Sequence, residues 1–288
     1  MTTVATLTIF CGAAILTKNT IFLQQNNIPA LIDDSAEAFV GVGLLGHQLG
    51  YNNILSMYAV LLLFAPLMVW CLNRSLRWTL VGSFLVWLVA GIWQLAPINY
   101  PTGGFWFLNP LSWQFLFVIG IAGMMHVRAG GRLPANPVLT WLSVLYLVWA
   151  FLWIRSPLWG QVSWFGLPTV LGGFDKTFLS LSRLLDILAL AYLVTSVPAI
   201  ANLLRVAPTN ALAILGKHSL PVFVSGTIIA MLAQVLKLQY AATPMRDFLL
   251  VATGVCAQFV IAYFLEWQAS MSKRQGVPSG RFAPSRSA

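Results

Sequence analysis

Polar residues along this chain do not alternate with apolar ones at strand or amphipathic-helix spacing. They gather in short clusters between long runs that are apolar on every face. Such runs cover residues 53–72, 78–96, 108–126, 137–154, 178–199, 217–236 and 246–267. A bilayer core about 30 Å thick takes roughly 20 apolar residues per helix, so we read these seven runs as membrane helices. Residues 4–16 are short for a span. Extended to Leu23 they take in Lys18 and Asn19, which can snorkel at a membrane surface, and they make an eighth. The expectation is an all-α, polytopic integral membrane helical bundle of about eight transmembrane helices. It has a single domain over residues 1–267 and a disordered basic cytoplasmic tail over 268–288, rich in Ser, Pro, Gly and Arg.

Composition supports that reading and excludes others. Hydrophobic residues make up 59% of the 288 and charged residues 8%, with a mean hydropathy of +0.81. A chain so poor in charge has no polar face for a soluble domain. The net charge of +9 suits a nucleic-acid binder in principle, but the basic residues stand singly or in pairs between apolar runs, which is the pattern of membrane topology. The partner expected is the lipid bilayer, with no nucleic acid. Cys11, Cys71 and Cys256 each lie in an apolar run without metal-ligand spacing and read as small hydrophobes. No metal site and no bound cofactor is expected. The opening MTTVATLTIF has neither the basic stretch nor the cleavage site of a signal peptide.

Charge in the connecting loops sets an orientation, because Lys and Arg are retained on the cytoplasmic side of short loops. Arg74 and Arg77, then Arg128 and Arg132, then Arg205 and Lys217 fall in alternate loops, followed by Lys273, Arg274, Arg281 and Arg286 in the tail. Residues 24–52 carry Asp33, Asp34 and Glu37 without Lys or Arg, and residues 96–110 carry no charge. Eight helices with both termini cytoplasmic fit, with Arg155, Lys176, Lys237 and Arg246 as exceptions on the outer side. A bacterial inner membrane is the expected location.

The outer side holds Tyr100, Phe105, Trp106, Asn109, Trp113 and Gln114, then Trp159, Gln161, Trp164, Asp175 and Lys176. Flat aromatic faces beside neutral amides suit a sugar; an interfacial aromatic belt explains the rings equally well. The run FLNPLSWQFLFVIG puts Asn109, Ser112 and Gln114 at the outer mouth of a helix. Arg183 and Asp186 are three apart on one helix face and can pair, either lining a wet cavity or locking two helices. His218, beside Lys217 in LGKHSLPVF, can act as a general base toward a hydroxyl; an interfacial His of no special role reads the same way. There is no Walker motif, serine nucleophile elbow or His-Glu metal spacing.

Four stretches in order, NNILSMYAVLLLFAP, FLNPLSWQFLFVIG, DKTFLSLSRLLDILALAYLV and LGKHSLPVFVSG, together resemble the OpgC family. These are membrane enzymes that add succinyl groups to osmoregulated periplasmic glucans, related to the wider acyltransferase-3 group. The resemblance implies a transferase with an acyl-CoA-type donor such as succinyl-CoA inside and a periplasmic glucan acceptor outside. On that reading Asn109, Trp106, Trp113 and Gln114 meet the acceptor, Arg183 and Asp186 serve the acceptor or its path, and these two with His218 are the candidate catalytic residues. His218 and Lys217 face the donor, whose phosphates Arg128 and Arg132 attract; positive-inside retention predicts the same basic residues. Two departures accompany the likeness. The Arg-Gly and Asp-His pairs of the family's N-terminal region have no counterpart here, so an N-terminally truncated and inactive chain is one expectation, and the family commonly has His at the position of Asp186. A polytopic carrier gated by Arg183 and Asp186 and a non-catalytic remnant remain the alternatives.

Overall fold

The computed structural model describes residues 2–26, 28–47, 49, 53–131, 134–156 and 166–275. Among them every regular element is a helix, and extended pairing is limited to one isolated bridge between Ile98 and Phe105. In chain order these are α1 (Thr2–Thr17), a 3-10 turn (Thr20–Gln24), α2 (Ile28–Asp33), α3 (Ser35–Gly43), α4 (Asn53–Arg74), α5 (Leu76–Ile92), α6 (Pro110–Arg128), α7 (Pro137–Arg155), α8 (Thr169–Gly172), α9 (Leu181–Ser196), α10 (Pro198–Leu204), α11 (Ala211–Lys217), α12 (Ser219–Gln239) and α13 (Pro244–Gln275). Each apolar run expected from the sequence is helical over most of its length.

This is a membrane protein. Among the described residues α4, α6, α7, α12 and α13 are long and apolar enough to cross a bilayer, five helices, or six if α9 and α10 form one span. The apolar α1 and α5 are shorter. Large apolar side chains lie on the outside, Leu63 at 75% and Trp78 at 77% exposure, which is stable only where the surroundings are themselves apolar. Helices suit those surroundings because each satisfies its own backbone donors and acceptors.

The helix ends follow local chemistry. Asn109 precedes Pro110 and accepts from Leu111 N; Asn136 precedes Pro137 and accepts from Val138 N and Leu139 N. Both combine an amide cap with a proline that has no N–H to orphan. The single run read over 178–199 is broken instead into α9 and α10, bent by 88°. Pro198 is the cause: it drives the preceding residue out of the helical region, and Val197 sits at φ −93°, ψ 110°. Likewise His218, at φ −104°, ψ 32°, separates α11 from α12. At the other end of the chain α13 continues through Gln275, past the Trp267 boundary read from composition; the rest of that expected tail, 276–288, lies outside the described residues.

The chain divides into two compact units, Leu23–Arg205 and Met1–Phe22 with Val206–Ala288. In the first, α6 packs between α4 and α5, α7 packs on α9, and the short α8 lies against α5 and α9. Trp87, Val170, Leu179 and Leu184 form its main buried cluster, and Met57, Leu61 and Leu108 a second. At Gly91 the absence of a side chain lets α5 approach Val170 of α8, since a Cβ there would overlap the valine methyls. In the second unit α12 packs on α1 and α13, with α11 against α13 and a core of Ile214, Val222 and Ala262.

Candidate functional site

In the Leu23–Arg205 unit, Asn109 is the point where three segments meet. Its Oδ1 accepts from Leu111 N at 3.0 Å, its Nδ2 donates to the Leu95 carbonyl at 2.7 Å, and its backbone N–H donates to the Thr177 carbonyl at 3.0 Å. Asn109 and Ser112 are both 0% exposed. The expected outer mouth is therefore a closed helix cap, and Asn109 does not present its amide to an incoming acceptor. The physical reason is the demand of a buried helix start and two loop carbonyls for partners. Gln114 is committed in the same way: Ser83 Oγ donates to its Oε1 at 2.6 Å, and its Nε2 donates to the Ser83 carbonyl at 2.8 Å.

The rings sort differently. Trp113 Nε1 donates to the Lys176 carbonyl at 3.0 Å, and the Lys176 ammonium lies 4.7 Å from the centre of the Phe107 ring. Trp106 is buried at 5% exposure, and its ring does not face outward as an acceptor platform would. Tyr100 is exposed, and a hydrogen bond to Glu37 is the main cause holding its phenol above the ordinary range. Trp159, Gln161 and Trp164 lie outside the described residues. A stack that sequence reading passed over runs along α7 instead: Trp149 and Trp153 at 5.7 Å, then Trp153 and Phe174 at 6.5 Å. Tyr146, Trp149, Phe174 and Ser182 border a cleft of about 180 Å³ there. The i, i+4 spacing of the two tryptophans inside an apolar run was the signal that places both on one face.

Arg183 and Asp186 are on neighbouring positions of α9 but make no ion pair. Arg183 Nε donates to the Phe174 carbonyl at 2.8 Å, so the guanidinium is turned back toward the segment between α8 and α9. Ser182 Oγ donates to the Gly173 carbonyl and Tyr146 Oη to the Ser182 carbonyl, both at 2.8 Å. This corrects the expected pairing: the Phe174 carbonyl in the segment before α9 takes the guanidinium.

In the other unit, Lys217, His218 and Glu266 meet. Lys217 Nζ donates to Glu266 Oε1 at 2.7 Å and Oε2 at 2.6 Å, and His218 Nε2 lies 2.9 Å from Oε2. The junction between α11 and α12 presents both basic residues, and the last apolar turns of α13 present the carboxylate. A carboxylate bonded to an ammonium is an acceptor only, so Nε2 meets it as a donor, and in the neutral form of the ring the lone pair is on Nδ1. The His218 side chain is 16% exposed and that of Glu266 34%, so the pair is sheltered but reachable. Glu266 escaped sequence reading although an acidic residue in an apolar run, AYFLEWQ, is itself a signal. Arg128 lies in the Leu23–Arg205 unit, on the exposed last turn of α6; Arg132 lies outside the described residues. Among the described residues no group of three or more His, Cys, Asp or Glu is arranged to hold a metal.

A protein-family model described as OpgC protein matches residues 1–270. No curated protein and no solved structure matches the chain.

Proposed function

The chain belongs to the OpgC family, and from that premise we propose that it is an inner-membrane acyltransferase that moves a succinyl or similar acyl group from a CoA thioester to hydroxyls of a periplasmic glucan. The family match over residues 1–270 carries this reading. Alternating basic loops support eight spans with both termini cytoplasmic. His218 is the residue we assign to proton transfer, because it is the imidazole held by a carboxylate. Its free nitrogen takes the proton of the attacking hydroxyl as the oxygen bonds to the thioester carbonyl carbon. The C–S bond then breaks, and the proton passes to the departing thiolate. This chemistry requires the acceptor hydroxyl to be presented at the end of α12 that bears His218. Glu266 fixes the ring, and Lys217 balances the carboxylate's charge. For the glucan, Asn109 and Gln114 are poor contacts, since their amides are already bonded.

The test is to express the full chain in a glucan-producing strain that lacks its own succinyltransferase and measure the charge on the glucans. Anionic glucans with the wild type and neutral glucans with His218→Ala support the proposal. Glucans that stay neutral with well-expressed wild type overturn it. The 88° break between α9 and α10 favours a second reading, a carrier, since broken helices line transport sites. Glucan export without acylation in the same strain is the outcome that supports the carrier.

A further inference from the structure

Trp113, Phe117, Gly120, Ile121, Met124 and Arg128 recur at helical spacing along one face of α6, from its first turn to its last. At 1.5 Å per residue the stripe rises about 22 Å, most of the thickness of a bilayer core. Together with the facing side of α4 it forms a groove of about 610 Å³. A second groove, of about 820 Å³, lies on the opposite flank of α6 against α7 and α9, and Gly120 and Met124 line both. A Cβ added at Gly120 would meet nothing within 4 Å, so the grooves are open where they adjoin. The first groove is mainly hydrocarbon and aromatic, with Tyr58 in its lining, and the second is mainly apolar with Ser143, Tyr146, Tyr192 and Thr195 along it; the charged lining residue of the first groove lies at one end. There Arg128 is exposed and makes no ion pair or hydrogen bond among the described residues.

We propose that α6 is a binding site for an anionic phospholipid, with one acyl chain in each groove and the phosphate against Arg128. Two adjoining apolar grooves match a two-chain lipid. A lone guanidinium at one end of a long apolar channel matches an anionic head, and its planar donors suit a phosphate. A nucleotide donor fits this surface poorly, because mainly hydrocarbon walls offer few partners for its ribose and base. The site gives Arg128 a role independent of the acyl-transfer reading, since it needs only that the chain sits in a bilayer.

Native mass spectrometry of the full chain in detergent tests this, with titration of phosphatidylglycerol, phosphatidylcholine of the same chains, or inorganic phosphate. Phosphatidylglycerol is expected to bind about fivefold more tightly than phosphatidylcholine, the attraction of roughly one basic residue for an anionic head. Arg128→Gln removes that preference and Arg128→Lys keeps it, both at an exposed position that the fold does not depend on. Gly120→Leu, which fills the space between the grooves, weakens both lipids. Inorganic phosphate alone gives no bound species. Equal binding of the two lipids to wild type, an unchanged preference in Arg128→Gln, or phosphate binding as tightly as phosphatidylglycerol overturns the proposal.

Discussion

Ser83 and Gln114 hold α5 to α6 through both ends of one amide, the serine hydroxyl and carbonyl facing the glutamine oxygen and nitrogen at 2.6 and 2.8 Å. Between membrane helices the hydrophobic effect gives little net attraction, so close packing and interhelical hydrogen bonds take its place. Gln114→Leu keeps the side-chain size and strands the Ser83 hydroxyl, and is expected to destabilise by about 1–2 kcal/mol. Ser83→Ala combined with Gln114→Leu is expected to cost less than the sum of the two single changes, because neither then leaves an unpaired partner. Unfolding in mixed micelles measures this. Strictly additive costs would show that the two side chains are not coupled.

The approach of α5 to α8 depends on Gly91. Val170 is 0% exposed, and its Cβ and methyl groups occupy the place where a Cβ at residue 91 would go. Gly91→Ala is expected to cost about 1–3 kcal/mol by overpacking. Adding Val170→Ala removes the two methyls but keeps a Cβ 2.5 Å from the new carbon, so it should recover only part of the stability lost in Gly91→Ala. The thermal midpoint of the detergent-solubilised protein checks both variants, and an unaltered midpoint in Gly91→Ala would remove the proposed contact.

Arg183 and Asp186 share no direct ion pair and should be only weakly coupled. Arg183→Met removes the donor to the Phe174 carbonyl and is expected to loosen the turn between α8 and α9, read as faster proteolysis near that turn. Asp186→Asn leaves the hydrogen bonds described here intact and is expected to change stability by less than about 0.5 kcal/mol. Their coupling in a double-mutant cycle should also stay below about 0.5 kcal/mol. Coupling of 2 kcal/mol or more, roughly what one-sided breakage of a buried pair produces, would restore the ion pair expected from their spacing.

What the sequence made legible is the set of helices, and the reason is physical. A span must be apolar over its whole length, so 53–72 and 137–154 announce themselves without any tertiary information. Asn109 and Gln114 were legible only as polar residues out of place. That they serve as a cap and an interhelical tie depends on Leu95, Thr177 and Ser83, up to 68 residues distant in the chain (177 minus 109). The same is true of Glu266, which meets His218 across a sequence separation of 48. Bends were half legible: Pro198 stands in the sequence, but a proline inside an apolar run is compatible with a kink as well as a break.

His218 and Glu266 give the most direct test of chemistry. If the imidazole transfers the proton, His218→Ala should lower kcat by about 10²–10⁴ while leaving KM for the acyl donor nearly unchanged. Added imidazole should restore part of the lost rate by entering the vacated space. Glu266→Gln keeps an oxygen that can accept from Nε2 but loses the negative charge that answers the imidazolium formed in the transition state, so kcat should fall about tenfold with little change in KM. Glu266→Leu removes the acceptor as well, freeing the ring to turn, and should fall further. Lys217→Met leaves the His218–Glu266 bond in place and should retain most of the activity. Initial rates of acyl transfer to purified glucan check the series. A His218→Ala enzyme of wild-type kcat, or one whose loss appears only in KM and does not respond to imidazole, would reduce the dyad to a structural tie between α13 and the α11–α12 junction.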